Sequence, residues 1–333
     1  MFELLRLVDF ALTKSREGKE LVLATIVHTI GSSYRKQGTQ MIVADDLSYE
    51  GALSGGCVEK EVLRRAQTVF PSKCNVVFEY DGRYKLGCNG RIFILLEYLV
   101  PETLHTLVEK IRMHHETRTS FNLCIRRTHE SDQAHTSYEF GNVIINVTSP
   151  DEIKGEVPVE RVAVPPQFQI VIIGGEYDST TLANMACDAG LRTFLIAKEM
   201  PPYRLSRKVE TGFALPEALA SKIRFDKLTA IVIMTHSLSK DMSYLRELIK
   251  VPSCYLGVLG PDHRKKTILN DLMNMDERLF FQYQDKFQEV RGPMGLGIGA
   301  VTPEEISVSI LAEVIASLRQ SHLKDAVAVD SIR

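Results

Sequence analysis

The sequence predicts an α/β chain in two domains, a mixed α/β domain followed by a domain built on a parallel sheet. Three observations carry this expectation. In the second half, short runs that are apolar throughout, QIVIIGG (169–175) and TAIVIM (229–234), alternate with helical patterns. Strands covered on both faces by helices have this signature. The first half mixes β-rich runs with amphipathic helical ones. Between the halves, SPDEIKGEVPVERVAVPP (149–166) is rich in proline and charge and has no sustained periodicity. The expected boundaries are a first domain at 1–150, a linker at 151–166 and a second domain at 167–333.

Phe2, Leu5, Val8 and Leu12 recur at helical spacing, so residues 2–16 open the chain as an amphipathic helix. LVLATIVHTI (21–30) reads as a strand ending at Gly31, and QMIVADD (40–46) as a second strand before a turn. CVEKEVLRRAQTVF (57–70) reads as a helix starting directly after Gly55-Gly56. NVVFEY (75–80) and RIFILLEYL (91–99) are strands, a helix follows at about 102–115, and FNLCIRR (121–127) and NVIINV (142–147) are strands again. Beyond the linker, the apolar strand at 169–175 leads to a helix at about 179–189 and a strand at 192–197. TAIVIM precedes a helix at about 240–249 and a strand at 253–260. The last helix is marked at its start. Thr302 is the N-cap, Pro303 the first helical residue and Glu305 the capping-box partner, with Ile306, Ile310, Leu311, Val314 and Leu318 as its buried face.

Of 333 residues, 44% are hydrophobic and 25% charged, and 40 basic against 42 acidic side chains leave a net charge of −2. This balance provides no global drive towards nucleic acid or acidic lipid. No apolar run reaches the roughly 18–20 residues that span a bilayer. MFELLRLVDF lacks the basic n-region of a secretory signal. The six cysteines are scattered as reduced cytoplasmic thiols would be. There is no CxxC or HExxH motif, so a dedicated zinc site is not expected.

Three glycine-rich stretches in the first half are candidates for chemistry. In Gly31-Ser-Ser-Tyr-Arg-Lys-Gln-Gly38, a strand ends at a glycine and Ser32, Ser33, Arg35 and Lys36 follow; these residues either bind phosphate oxygens or sit on a surface hairpin. In Gly51-Ala-Leu-Ser-Gly-Gly-Cys57-Val-Glu59, free N–H groups at a helix start form an anion site. Cys57 in that first turn is either a nucleophilic or metal-ligating thiolate, or a small buried hydrophobe. Glu59 complements the helix dipole. Gly87-Cys88-Asn-Gly90 is a turn whose cysteine either faces the same pocket or is incidental. Cys74, Cys124, Cys187 and Cys254 lie in or beside apolar elements and read as structural.

The second half carries a Rossmann-like fingerprint with losses. Gly174 matches the first glycine of G-x-G-x-x-G, but Glu176 and Ser179 occupy the other two positions. Ala197 stands where a ribose-binding acid is expected, with Glu199 two residues on. His236, after the apolar strand 229–234, sits at the carboxyl edge where open sheets bind ligands, and Asp241 either orients it or caps a helix. His263-Arg264-Lys265-Lys266 either receives a phosphate or is a solvated helix face. Gly295–Ala300 either wraps a ligand or makes a tight turn.

The combination resembles a known family. GSSYRKQGTQMIV, GALSGGCVEKEV and LGCNGRIFILLE are similar to the N-terminal domain of XdhC/CoxI proteins. The strand and glycines at 170–175, MTHSLSKD, YLGVLGPDHRKK and MGLGIGAVTPEEISVSILAEVIA are similar to their C-terminal Rossmann-like domain. The resemblance implies an accessory protein of molybdenum hydroxylases such as xanthine and carbon monoxide dehydrogenases, without turnover of its own. It implies transient binding of molybdenum cofactor (molybdopterin), protection during sulfuration by a cysteine desulfurase, and delivery to the apo-enzyme. Cys57 is then the contact to the cofactor and its metal. Ser32, Arg35, Gly55 and Gly56 line the pterin-phosphate site, Cys88 is a weaker candidate and His236 a ligand contact in the second domain. A homodimer in the cytoplasm is expected, with no nucleic acid or membrane as partner. The losses at Glu176, Ser179 and Ala197 count against NAD(P) binding, and Gly297, where such proteins often carry an acid, counts against catalysis at that edge. An NAD(P)-binding oxidoreductase is the alternative, and a scaffold joining sulfurase to target enzyme is a third reading.

Overall fold

The computed structural model describes residues 1–81, 90–127, 134–148 and 158–330, with side chains described as far as 322. The chain divides into two compact units, Met1–Pro166 and Gln167–Arg333.

The first unit is built around a five-stranded antiparallel sheet. Its elements are α1 (Phe2–Arg16), β1 (Leu21–Ile30), β2 (Gln40–Ala44), β3 (Tyr49–Gly51), α2 (Cys57–Ser72), β4 (Val76–Asp81), β5 (Arg91–Leu99) and α3 (Pro101–Glu116). They are followed by β6 (Phe121–Arg127), β7 (Ala134–Phe140), β8 (Val143–Asn146) and β9 (Val159–Val164). The main sheet runs β3-β2-β1-β5-β4, and β8-β7-β6-β9 form a second antiparallel sheet. β1 shows why the first reads as continuous apolar sequence. Val22, Ala24 and Ile26 pack with Val58, Val62, Ala66 and Val69 of α2. Leu21, Leu23 and Val27 face the other way, into a core shared with α1, α3 and the second sheet. A strand alternates sides by residue, so both sides must be apolar when both are covered. Each fully buried aliphatic side chain contributes about 1.5–3 kcal/mol.

Three elements of this unit differ from expectation, the short edge strand β3 (Tyr49–Gly51) being one. Residues 159–164, placed in the linker, form β9, which pairs antiparallel with β6 from Phe121↔Val164 to Arg126↔Val159. Its charged residues Glu160 and Arg161 suit a sheet edge, while Val162 and Val164 pack on the core. AHTSYEF (134–140) is also a strand, and six of its seven residues are buried, including His135, Thr136 and Ser137. Its polarity hides it in sequence. It is satisfied by fully buried Glu97 of β5, whose Oε1 accepts the Thr136 N–H at 2.8 Å and whose Oε2 accepts the Thr136 hydroxyl at 2.5 Å.

The second unit holds β10 (Gln169–Ile173), α4 (Tyr177–Asp188), β11 (Arg192–Ile196), β12 (Glu210–Gly212), α5 (Pro216–Lys222), β13 (Thr229–Ile233), α6 (Leu238–Leu248) and β14 (Tyr255–Val258). α7 (Asp262–Met275), α8 (Glu277–Gln282), α9 (Gln284–Glu289) and α10 (Pro303–Asp330) close it. The sheet order is β12-β11-β10-β13-β14, and the pairings are parallel. Ile170 and Ile172 of β10, with Ala230 and Val232 of β13, face α4 and α10; Val171, Ile173, Ile231 and Ile233 face α5, α6 and α7. This is the Rossmann-like doubly wound arrangement expected. The α10 start is built as the residue types require: the Glu305 N–H donates to Thr302 Oγ1 at 3.2 Å and the Thr302 N–H to Glu305 Oε2 at 3.0 Å.

Candidate functional site

Each unit carries its own candidate site. In the first, the loop after β1 and the loop before α2 wall a pocket of about 260 Å³ lined mainly by apolar surface. Ser32, Ser33 and Tyr34 form one side; Leu53, Ser54, Gly55 and Val58 form the other; Tyr80, Gly90 and Ile92 complete it. Tyr34 stands at the mouth, 79% exposed. The start of β5 runs close against the loop after β1 at Gly90, where an added Cβ would lie 2.2 Å from the Ser32 carbonyl oxygen.

The loop before α2 departs from the expected open anion site. Gly56 is the N-cap with φ 117°, a left-handed conformation that glycine takes without strain. The turn it makes folds Glu59 back under the loop. Glu59 Oε1 accepts the N–H groups of Leu53 (2.9 Å) and Ser54 (2.6 Å). Its Oε2 accepts the Gly56 N–H and the Ser54 hydroxyl, both at 2.8 Å. Burial pushes the Glu59 carboxyl up, but the donors from Ser54 and the loop backbone outweigh it, and it lies below the ordinary carboxylate range. Glu59, only 4% exposed, is therefore the anion this loop was shaped around, more than a complement to the helix dipole. The N–H groups of Gly55 and Cys57 are the ones Glu59 leaves to other partners.

Cys57 is the first residue of α2 and is exposed, which removes the alternative of a buried hydrophobe. Its neighbours Gly55 and Val58 line the pocket, as does Tyr80, whose phenol is pushed up first by burial and then by the charge of Cys57. Ser32 and Gly55 thus share one pocket, whereas Gly56 and Cys57, which stand between Gly55 and Val58 in the chain, are not among its lining residues. Arg35 does not line it: its Nη1 pairs with Glu3 of α1 at 2.9 Å, while its buried Nε has no hydrogen-bond partner. Cys88 lies outside the described residues. Cys74, read as structural, is exposed instead, because it follows Lys73, whose left-handed C-cap (φ 57°) turns the chain out of α2. Cys124 and Cys187 are buried. Among the described residues, no group of three or more His, Cys, Asp and Glu could hold a metal ion.

In the second unit, His236 follows β13 with φ 57° and donates from Nε2 to Asp178 Oδ2 at 2.8 Å. Asp178, in the first turn of α4, is the partner that sequence reasoning missed. Asp241 does not orient His236. It is 1% exposed and accepts the Thr235 N–H and hydroxyl on Oδ1 (3.1 and 2.5 Å), and the Arg264 guanidinium on Oδ2 (2.5 Å). Arg264 is thereby withdrawn from the basic run at the α7 start. Lys265 Nζ donates to the Val290 carbonyl, and Lys266 pairs with Asp262 on the surface, so the cations of the run are taken up by the protein's own groups. Gly295–Ala300 is a pinned turn: Gly295 N–H donates to Glu313 Oε2 at 2.7 Å, and Ser309 Oγ to the Leu296 carbonyl at 2.6 Å.

The fingerprint positions are resolved by packing. A Cβ on Gly174 would lie 2.5 Å from the Met234 carbonyl oxygen, so this glycine serves close strand packing. Glu176 is the exposed N-cap of α4, and Ser179 is buried, donating its hydroxyl to the Glu176 carbonyl at 2.8 Å. The pyrophosphate of a dinucleotide belongs at this helix start, where Glu176 and Asp178 place two carboxylates. The residues present do not fit that group.

Two family models match the sequence: the XdhC Rossmann domain over residues 170–314, and the XdhC and CoxI family over residues 15–81. A probable xanthine dehydrogenase subunit from Bacillus subtilis is 28% identical, over 91% of this chain and 94% of that protein. The molybdenum cofactor insertion chaperone PaoD of Escherichia coli is 23% identical, over 96% of this chain and 90% of that one. A crystal structure described as a xanthine dehydrogenase from Bacillus halodurans shares the fold, with a TM-score of 0.75 at 24% identity, over 94% of this chain and 96% of that one.

Proposed function

We propose that this chain, which belongs to the XdhC and CoxI family, is a maturation factor that binds molybdenum cofactor and delivers it to the apo form of a xanthine dehydrogenase-type molybdenum enzyme. The names of the two relatives, a molybdenum cofactor insertion chaperone and a xanthine dehydrogenase subunit, support that role. The observation that carries it is an exposed thiol, Cys57, in the segment whose residues Leu53, Ser54, Gly55 and Val58 wall an apolar pocket with Ser32–Tyr34.

The chain's residues fit such a ligand in three ways. A thiolate is a soft ligand suited to molybdenum. Cys57 supplies one such ligand, and a single bond suits a cargo that must leave again. The apolar walls at Leu53, Val58, Tyr80 and Ile92 accept a flat ring and keep water from it. Glu59 accepts from Leu53, Ser54 and Gly56 and leaves the N–H groups of Gly55 and Cys57 for an anionic group of the ligand, and Arg35, which does not line the pocket, would join them on leaving Glu3. Its pair with Glu3 is exposed, so exchanging that partner costs little. The cofactor, when bound, supplies the metal and the phosphate; this chain holds, shields and releases.

Protection during sulfuration, a cysteine desulfurase as partner, a homodimer and a cytoplasmic location belong to the same proposal. No helix among the described residues is long and apolar enough to cross a membrane. The test is cofactor retention after co-expression with a cofactor-producing host, read by pterin fluorescence and metal content. Wild type retains the cofactor, Cys57→Ser loses most of it and Arg35→Ala retains less. Equal retention by wild type and Cys57→Ser would remove Cys57 from the site.

A further inference from the structure

The second unit has a cleft of about 620 Å³ that the cofactor reading does not use. It opens at the carboxyl ends of β10, β11 and β13, where open parallel sheets take their ligands, and its size suits a small molecule. Its walls divide by chemistry. One is apolar, with Met200, Pro202, Phe213 and Leu215, and Met200 is 67% exposed. Charged and polar groups come from two further segments, Lys198 with Glu199 after β11 and Ser239 with Lys240 at the start of α6. No carboxylate lies within ion-pair distance of either lysine among the described residues. The Gly174–Glu176 turn lines it as well.

A dinucleotide would lay its pyrophosphate on that turn. Glu176 presents a carboxylate there, and Asp178 Oδ1 already accepts the Ser179 N–H at 2.8 Å, one of the donors a phosphate would need. The loss of the ribose acid is equally built in: Ala197 fills the space beside Gly175, its Cβ 3.2 Å from where a Gly175 Cβ would stand. The cleft keeps a surface for a flat base and two unpaired cations for a phosphate, but repels a second phosphate at α4. We infer that it binds a nucleoside monophosphate, with the base on the Met200–Phe213 wall and the single phosphate at Lys198 and Lys240, and that it excludes dinucleotides. The inference does not depend on the Cys57 pocket.

Calorimetry on the full chain tests it, with the four 5′-nucleoside monophosphates, adenosine and NAD as probes at up to about 1 mM. At least one monophosphate binds, and adenosine binds at least about tenfold more weakly than AMP where AMP is that ligand, since it lacks the charge-assisted contact. Lys240→Ala weakens the monophosphate about tenfold. NAD gives no saturable heat with wild type but does so with Glu176→Gly, which restores one of the two missing glycines and removes the carboxylate. Lys198, Lys240 and Glu176 are all exposed, so these substitutions spare folding. No binding by any of the four monophosphates, NAD binding as tightly as they do, or unchanged affinity in both Lys198→Ala and Lys240→Ala would overturn the assignment. NAD silence in Glu176→Gly would overturn the role given to Glu176.

Discussion

Ser54 gives both its N–H and its hydroxyl to the two oxygens of Glu59, at 2.6 and 2.8 Å, so the loop before α2 is locked by a carboxylate from within the helix it starts. The rigidity of the Cys57 loop is thus intrinsic and precedes any ligand. A sequence signal existed: Glu59 is three residues after Gly56, the capping-box spacing.

Replacing Glu59 by alanine strips partners from the N–H groups of Leu53, Ser54 and Gly56, and costs about 2–3 kcal/mol, since each lost buried partner costs about 1 kcal/mol or more. Glu59→Gln keeps the shape and loses the charge. Its folded pKa is below the unfolded value of about 4.3, so its stabilisation is present above that value and fades as pH falls through the lower folded one. Urea midpoints between pH 6 and 3 should show the advantage of wild type over Glu59→Gln shrinking below about pH 4. A constant difference across that range would refute the ionic account.

Arg264 and Asp241 form the second internal lock. Arg264→Met leaves the Asp241 carboxylate buried with only Thr235 as donor, and the expected loss is about 3 kcal/mol. Urea unfolding should place it well above the loss from Lys266→Met, whose pair with Asp262 is on the surface.

His236 holds a left-handed backbone that β-branched residues resist. His236→Asn should therefore melt higher than His236→Val, by a margin of about 1 kcal/mol or more. Both lose the Asp178 contact, so their difference isolates the backbone. Equal melting temperatures would mean that the loop relaxes.

Thiol labelling separates the cysteines. Burial pushes the Cys254 thiol up to about 12, and burial with the nearby Glu139 pushes Cys124 up as well. Iodoacetamide at about pH 8 should label Cys57 and Cys74, both exposed, well before Cys124 and Cys254 in the folded chain, as read by peptide mass spectrometry. Early labelling of Cys254 would mean that its region opens.

Legibility followed the physics of each segment. β10, β13 and the capped start of α10 were readable because local pattern and tertiary role agree: fully apolar strands are those covered on both faces, and Thr302 with Glu305 satisfies its own helix end. The start of α2 at Cys57 was readable from the two glycines before it. β7 and β9 were not, since one is a polar strand buried by Glu97 and the other a charged edge strand.

The sequence by itself determined the two-part α/β architecture and the residues that gather on the glycine-rich loops. Periodicity and caps are local properties, written within a few residues of where they act. Only the tertiary structure decided which partner each polar group takes. It gave the α2 loop its own carboxylate, turned Arg35 to Glu3, paired His236 with Asp178 and drew Asp241 to Arg264. Apart from the Gly56–Glu59 capping spacing, such choices join residues far apart in the chain, and no spacing in the sequence records them.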